Sequence, residues 1–345
     1  MIKKEKFYIK NFEEVNEEEY LQRKNIPNIF HNFEWMQIIK ETFNVKCKIA
    51  LLKEDDKIMA SIPFVFYRNL IKGKCALPLH FSGFYGSIFS INDKFKNKII
   101  KKFLNYCKKF NYFTQIPEIN SIEENKFFHG YSIYKIEFKA NSSLEEQFLS
   151  SANKRMRDYI KKATKSSLES LTGGLELLDQ FYTLYLQNMK ELGTPPLQKK
   201  FFIKIIQTFP KQSKIILIKD QTKLCSGMFL LKVSKLELFA PTICTPRAFK
   251  INQSSHLLYL KAAKEAQKWG CTVMNYGRSI NGSGPALFKK RFGLKETPLL
   301  MYTPYNNWTV TNPKNSFLRH AIKIWKKLPI TLTKLGGIIL AKHVI

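Results

Sequence analysis

Two successive stretches of this 345-residue chain read in the same order, helical segments and paired strand-like runs followed by a further helix and strand, and that repetition constrains the fold most. In the first stretch, NFEWMQIIKETFN at 32–44 sets Phe33, Met36, Ile39 and Phe43 at helical spacing. KCKIALLKE and KIMASIPFVFYRN follow as strands, parted by the charged turn Glu54-Asp55-Asp56-Lys57. HFSGFYGSIF at 80–89 reads as a glycine-punctuated strand or turn, 94–110 as a basic helix, and 112–117 and 131–138 as closing strands. The second stretch predicts a helix over 176–191 and another after Pro196, then strands KIILIKD, CSGMFLLKV and LELFAPTI. A helix at 254–269, the strand CTVMNYG and a helix opened by Pro285 complete it. No residue-level repeat accompanies the shared order. The pattern predicts an α/β (α+β) class with mixed sheets flanked by helices, in two domains at this length.

The predicted boundaries are 1–165, 166–305 and a C-terminal basic amphipathic tail over 306–345. The segment 143–167 reads as one helix joining the halves, and its Asn153–Lys165 part carries six cations against one Asp. Those cations suit either a phosphate contact or a solvated linking helix. In the tail, KNSFLRHAIKIWKKL at 314–328 puts Phe317, Ala321, Ile324, Trp325 and Leu328 on one face, with Arg319, Lys323, Lys326 and Lys327 around it. An interfacial helix on an anionic membrane and a helix docked on the core both fit that pattern. Pro329 is expected to stop it, and LTKLGGIILAKHVI is too short and interrupted to span a bilayer.

The segment YGRSINGSGPALFKKRFG at 276–293 concentrates the chemistry. Gly282, Ser283 and Gly284 can bring backbone N–H groups near an anion, just before a helix whose first turn holds Pro285. An ordinary β-to-α turn fits the same residues. Arg278 and Ser279 end a strand, where clefts of open α/β sheets lie; Arg278 suits a bidentate phosphate or carboxylate contact, or a structural ion pair. Tyr276 on the same strand suits a pocket wall or the core. Thr242 and Arg247 follow the strand LELFA, Arg247 being suited to a diphosphate or to fixing its own loop. His256 and Tyr259 begin the next helix; the sequence marks no clear general base, and His256 stands as one option beside a proton carried by the substrate or a water.

Composition narrows the partners. Lys+Arg of 57 against Asp+Glu of 27 gives +30, which favours RNA, acidic headgroups or phosphorylated substrates. A lysine-rich surface set by an A+T-rich genome gives the same total. Six Cys and six His are dispersed without metal-ligand spacing, so reduced thiols and no metal are expected. The N-terminus has no apolar signal core, and no apolar run reaches the roughly 18–20 residues of a membrane span. A cytoplasmic protein, with peripheral contact at the inner face of the membrane as an option, is the resulting expectation. There is no GxxxxGK[ST] loop, no GxGxxG after a leading strand, no standard acetyl-CoA pyrophosphate loop and no paired-carboxylate signal.

Taken together, YGRSINGSGPALFKKRFG, LELFAPTICTPRAF, SSHLLYLKAAKEAQKWG, MKELGTPPLQKKFFIKII and the tail IWKKLPITLTKLGG resemble FemAB-type acyltransferases. The nearest branch is the exosortase/PEP-CTERM-associated FemAB-like group with BioF2-like acetyltransferase domains. The likeness covers roughly 180–340 and, more weakly, 29–85 through FHNFEWMQII and the SGFYG turn. It implies two tandem GNAT-like domains. It further implies transfer of an acyl or aminoacyl group, from acyl-CoA or aminoacyl-tRNA as co-substrate, to an amine of a cell-envelope, peptidoglycan or exopolysaccharide precursor. No permanently bound cofactor is implied. Phe288-Lys289 with Phe292-Gly293 matches the family's FKxx(F/W)G motif. The resemblance implies that Lys289 stabilises the oxyanion or the donor's terminal phosphate, that Phe288 shapes the pocket, and that Arg278 and Ser279 bind substrate. Ser255 and Leu260 stand where the branch has Asn and Trp, so ligand contacts there are expected to differ. Two other readings remain open at this point: acyl-CoA-dependent transfer to a small metabolite, and a non-catalytic basic module binding RNA or an anionic membrane.

Overall fold

The computed structural model describes residues 5–16, 20, 28–70, 72–78, 88–118, 127–139, 143–249, 253–302 and 316–343. Two compact units divide the chain. The first comprises Met1–Gly130 with Pro298–Val310, the second Tyr131–Thr297 with Thr311–Ile345.

The first unit runs β1 (Glu5–Asn11), α1 (Phe33–Phe43), β2 (Lys46–Glu54), β3 (Lys57–Asn69), β4 (Gly73–Pro78), β5 (Phe89–Ser90), α2 (Asp93–Lys109) and β6 (Ile116–Glu118). The sheet is antiparallel in the order β1-β2-β3-β4, with β5 also on β3. The charged turn closes the β2–β3 hairpin with Glu54 opposite Lys57. Asp55 and Asp56 both take left-handed φ (47° and 64°), the geometry that matches a tight hairpin to the strands' right-handed twist. Helix α2 is capped by Asn92, whose side chain accepts from the Phe95 N–H. It lays Phe95, Ile99, Ile100 and Phe103 on Ala50, Leu52, Ala60, Ile62 and Phe64 of the sheet. Each such aliphatic or aromatic side chain, fully enclosed, contributes about 1.5–3 kcal/mol. Strand β1 and the β4 edge did not show in the sequence pattern. The SGFYG turn lies outside the described residues.

The second unit runs β7 (Phe127–Glu137), α3 (Leu144–Ser151), α4 (Lys154–Lys165), β8 (Leu168–Gly173), α5 (Leu178–Leu192), α6 (Lys199–Thr208), β9 (Ser213–Asp220), β10 (Lys223–Lys232), β11 (Glu237–Cys244), α7 (Ser254–Lys268), β12 (Val273–Ile280), α8 (Gly284–Arg291), β13 (Lys295–Tyr302), α9 (Ser316–Lys327) and α10 (Ile330–Leu340). The chain passes between the two units within β7 and β13. The second unit's strands follow the order β7-β12-β11-β10-β9-β8, with only β11 and β12 parallel. Its core packs α4 (Met156, Ile160, Ala163) and α7 (Leu258, Ala262, Ala266) on sheet residues such as Ile216, Met228 and Leu238.

The predicted boundary at 165 is displaced, because the division falls at Gly130/Tyr131. The single helix predicted over 143–167 is two. Ala152 is extended, and Asn153 caps α4 by accepting from the Met156 N–H at 2.9 Å. Both pieces serve the second core, so neither acts as a linker. The tail from Thr311 joins the second unit rather than standing apart. Pro329 ends α9 as expected and then opens α10, which runs through the Gly336-Gly337 pair. Both glycines are needed for close approach. A side chain on Gly336 would meet the Trp325 ring, and one on Gly337 would meet the backbone carbonyl of Pro196.

Candidate active site around Lys289

The site grows from irregularities in two neighbouring strands. Strand β12 carries an extra residue between Asn275 and Arg278 relative to β7, a bulge that Gly277 makes possible with φ +72°. Asn275 Oδ1 holds the bulge by accepting from the Gly277 N–H at 2.8 Å, and its Nδ2 donates to Glu237 Oε1 at 3.0 Å. Strand β11 likewise carries an extra residue between Phe239 and Thr242 relative to β10. The parallel β11–β12 ladder extends from Glu237–Val273 only to Phe239–Asn275. Beyond that point β11 stays with β10 up to Cys244, and β12 stays with β7 up to Ile280. Backbone groups of Pro241–Cys244 and Arg278–Ile280 thus lie where two parallel strands part company, at their carboxyl ends.

Lys289 on α8 reaches back to this bulge. It is 5% exposed, and its Nζ donates to Gly277 O at 3.1 Å and Arg278 O at 3.2 Å. The ammonium also lies 5.4 Å from the centre of the Tyr134 ring. Burial pulls its pKa down from 10.5 to about 7. Tyr134 is fixed in turn, its hydroxyl donating to Glu296 Oε1 at 2.7 Å, and Glu296 pairs with Lys290 at 2.7 Å. A lysine with a perturbed pKa, held by backbone carbonyls beside a strand bulge, can offer a proton or a positive charge to a developing anion.

The other motif residues hold α8 in place. Phe292 is fully buried, and Gly293 at φ +72° ends the helix with its N–H on Lys290 O at 2.8 Å. A side chain on Gly293 would run into the backbone carbonyl of Ser151. The elbow between α3 and α4 is latched to this end: Ser151 Oγ donates to Phe292 O at 3.2 Å, and the Asn153 N–H to Arg291 O at 3.0 Å. Phe288 is half-buried with ring centres 5.3 Å from His256, 5.4 Å from Tyr259 and 5.0 Å from Phe292.

The remaining sequence-predicted residues fall into three groups. Tyr276 and Tyr259 are core: their rings stack at 4.5 Å, and the Tyr276 hydroxyl donates to Tyr259 O at 2.7 Å. His256 is enclosed by Tyr159, Phe288 and Phe292. Burial lowers its pKa to about 4, which makes it a weak base and leaves it neutral near pH 7. Arg278 is half-buried, its guanidinium 4.6 Å from the Tyr131 ring centre, with burial drawing its pKa down; Ser279 beside it is buried. The loop residues Gly282 and Gly284 are exposed, and Ser283 Oγ accepts from the Ala286 N–H at 3.4 Å. With Pro285 lacking an N–H, most first-turn donors are therefore already absent or engaged. Thr242 is half-buried opposite Phe229 of β10. Arg247 is exposed, its backbone N–H held by Glu191 Oε2 at 2.8 Å. So the fold joins Phe288, His256, Tyr259 and Tyr276 into one ring cluster, while Lys289 lies on the Gly277 and Arg278 carbonyls beside Tyr134. Sequence reasoning missed Tyr131, Tyr134, Asn275 and Ser151. Only Asn275 left a signal, an Asn two residues before a glycine, the spacing of a side chain that closes on its own backbone.

No family model and no curated protein sequence matches the chain. Solved structures do. FemX is 12% identical over 86% of this chain and 97% of its own, with a TM-score of 0.60. L-PGS from Bacillus licheniformis is 12% identical over 79% and 88%, with a TM-score of 0.51. A tandem GNAT protein from the clavulanic acid biosynthesis pathway is 7% identical over 88% and 100%, with a TM-score of 0.50. At such identities the likeness lies in the fold. The chain therefore shares the fold of FemX and of the tandem GNAT protein, with the mixed α/β make-up expected from its sequence.

Proposed function

We propose that this protein is an N-acyltransferase. It moves an acyl or aminoacyl group from an activated donor, a CoA or carrier thioester or the ester of a charged tRNA, to an amine of a cell-envelope or polysaccharide precursor. The observation that carries the reading is the buried Lys289 ammonium on the carbonyls of the β12 bulge, in a fold shared with FemX and a tandem GNAT protein. In the reaction the neutral acceptor amine attacks the donor carbonyl, forming the C–N bond and placing negative charge on the carbonyl oxygen. Collapse breaks the C–S or C–O bond, and the leaving thiolate or alkoxide takes the proton given up by nitrogen. Lys289 donates to the developing oxyanion, a contribution of roughly 10²–10³ in rate by comparison with other oxyanion donors. Phe288 keeps water from that point. Arg278, half-buried against Tyr131, grips an anionic group of donor or acceptor.

The basic face of α4, with Lys154, Lys161, Lys162 and Lys165 exposed, supports a polyanionic donor and suits tRNA and CoA alike. Incubation with a charged-tRNA pool and, separately, a mixed acyl-CoA pool tests the reading. Each pool is offered with amino-sugar and lipid-linked precursor extracts, and products are read by mass spectrometry. The expected result is a product from one pool that disappears in Lys289→Met. Silence from both pools, or a product indifferent to Lys289, overturns it.

A further inference from the structure

Helices α9 and α10 dock on the second unit by one side only. Ile322 of α9 packs at the position where a side chain on Gly193 would stand, Trp325 covers Gly336, and Gly337 lies on the Pro196 backbone. Gln198 Nε2 donates to Ile338 O at 3.3 Å, while Thr333 and Ala341 are buried. The other side is apolar and open, with Ile324 63%, Leu335 59% and Ile339 64% exposed. At helical spacing Leu332, Leu335, Ile338 and Ile339 share one arc of about 120°, turned away from Thr333 and Gly337. Residues 314–345 hold seven Lys/Arg and no Asp or Glu. Lys323, Lys327 and Lys334 are exposed on the undocked side, while the stem of Lys326 lies at Gly193 beside Ile322.

We propose that this face of α9 and α10 seats the protein on the surface of an anionic lipid bilayer. Charge chooses the occupant. A second copy of the chain would bring the same seven cations against these, and protein interfaces are depleted of lysine at their centres. A surface of anionic headgroups over acyl chains matches both features, apolar side chains entering the boundary while lysine stems carry their ammonium groups to the phosphates. Among the described residues no helix is long and apolar enough to cross a membrane, so the contact lies along the surface. The inference deepens the proposed function, because a lipid-borne amine acceptor is met at such a surface, yet its binding test does not depend on catalysis.

Sedimentation of the full chain with vesicles is the test. One set contains equal parts phosphatidylglycerol and phosphatidylcholine, the other phosphatidylcholine alone. Binding is expected to the anionic set only and to weaken as salt rises. The combined variant Lys323→Gln, Lys327→Gln, Lys334→Gln should bind about a hundredfold more weakly, at roughly fivefold per charge. Leu335→Ser with Ile338→Ser and Ile339→Ser should lose at least about tenfold at low salt, with an unchanged circular-dichroism spectrum and unchanged transfer to a water-soluble amine. Three results would overturn the proposal: wild type remaining in the supernatant, equal binding to both vesicle sets, or both combined variants binding as wild type does. A dimer in light scattering that the serine variant dissolves would assign the face to a second copy instead.

Discussion

Replacing Lys289 by Met separates the energetic cost of the site from its chemistry. Met fills the volume of the lysine stem, which alanine would leave as a cavity. In the folded state burial lowers the Lys289 pKa from 10.5 to about 7, and a drop of that size corresponds to about 5 kcal/mol against the charged form. The sign follows from proton counting. Between about pH 7 and 10.5 the unfolded chain keeps the proton and the native protein releases it, so stability rises with pH across that window. The penalty is fully present below the window and gone above it. Met has no such dependence, although it leaves Gly277 O and Arg278 O without their donor at about 1–3 kcal/mol each. The difference between the two proteins at one pH mixes these opposing effects; its slope does not. Urea unfolding of both proteins should show wild type gaining about 3 kcal/mol on Lys289→Met between pH 6.5 and 9.5. Groups common to both cancel in that comparison. Parallel stability curves would refute a buried, titrating Lys289, while acyl transfer should be lost in the variant at every pH.

Two glycines of the same motif should respond differently. Gly282→Ala is strained only by its φ of +72°, since nothing lies within 4 Å, and should cost about 1–2 kcal/mol. Gly293→Ala adds a collision with the Ser151 carbonyl and should cost at least about 3 kcal/mol, read as the larger fall in melting temperature. All six thiols are buried, and burial pushes those of Cys47, Cys75, Cys107 and Cys244 up to about 12. A thiol reagent should therefore label none in the native protein and all after unfolding. If the Lys289 ammonium is the working form, kcat/KM should fall on the alkaline side with an apparent pKa near 7. A flat profile over that range would count against the assignment.

How far the sequence disclosed this molecule depends on the range of each signal. The β2–β3 hairpin was legible because its turn is four adjacent residues, and the strand runs β9, β10 and β11 of the second unit were local in the same way. The break between α3 and α4 was not: Ala152 and Asn153 sit in a continuous helical pattern, and what rewards the elbow is Arg291 and Phe292, some 140 residues on. The same distance hid the role of Gly293, whose left-handed turn could be guessed but whose clash with Ser151 could not. Lys289 was picked out by its motif, while its partners were invisible, since backbone carbonyls leave no residue code. Tyr134 reaches Lys289 only because β7 lies beside β12, a pairing that sequence order conceals.

The cost of burying Lys289 bears on what the residue is for. A lysine that only covered Gly277 O and Arg278 O would gain little at a position 5% exposed, because two hydrogen bonds at about 1–3 kcal/mol each do little more than offset a penalty of about 5 kcal/mol against its charge. Exposed lysines are abundant here, with 57 Lys+Arg in the chain, and they carry no such penalty. What the buried position supplies is an amine balanced between its two protonation states near neutral pH and fixed by a rigid bulge, with one N–H direction not taken by the two carbonyls. Such a group suits the role we propose for it, donation to a developing oxyanion. The latch of Phe292 and Gly293 on the α3–α4 elbow then has a clear purpose: it holds the helix that carries Lys289 against the strand whose carbonyls position the ammonium.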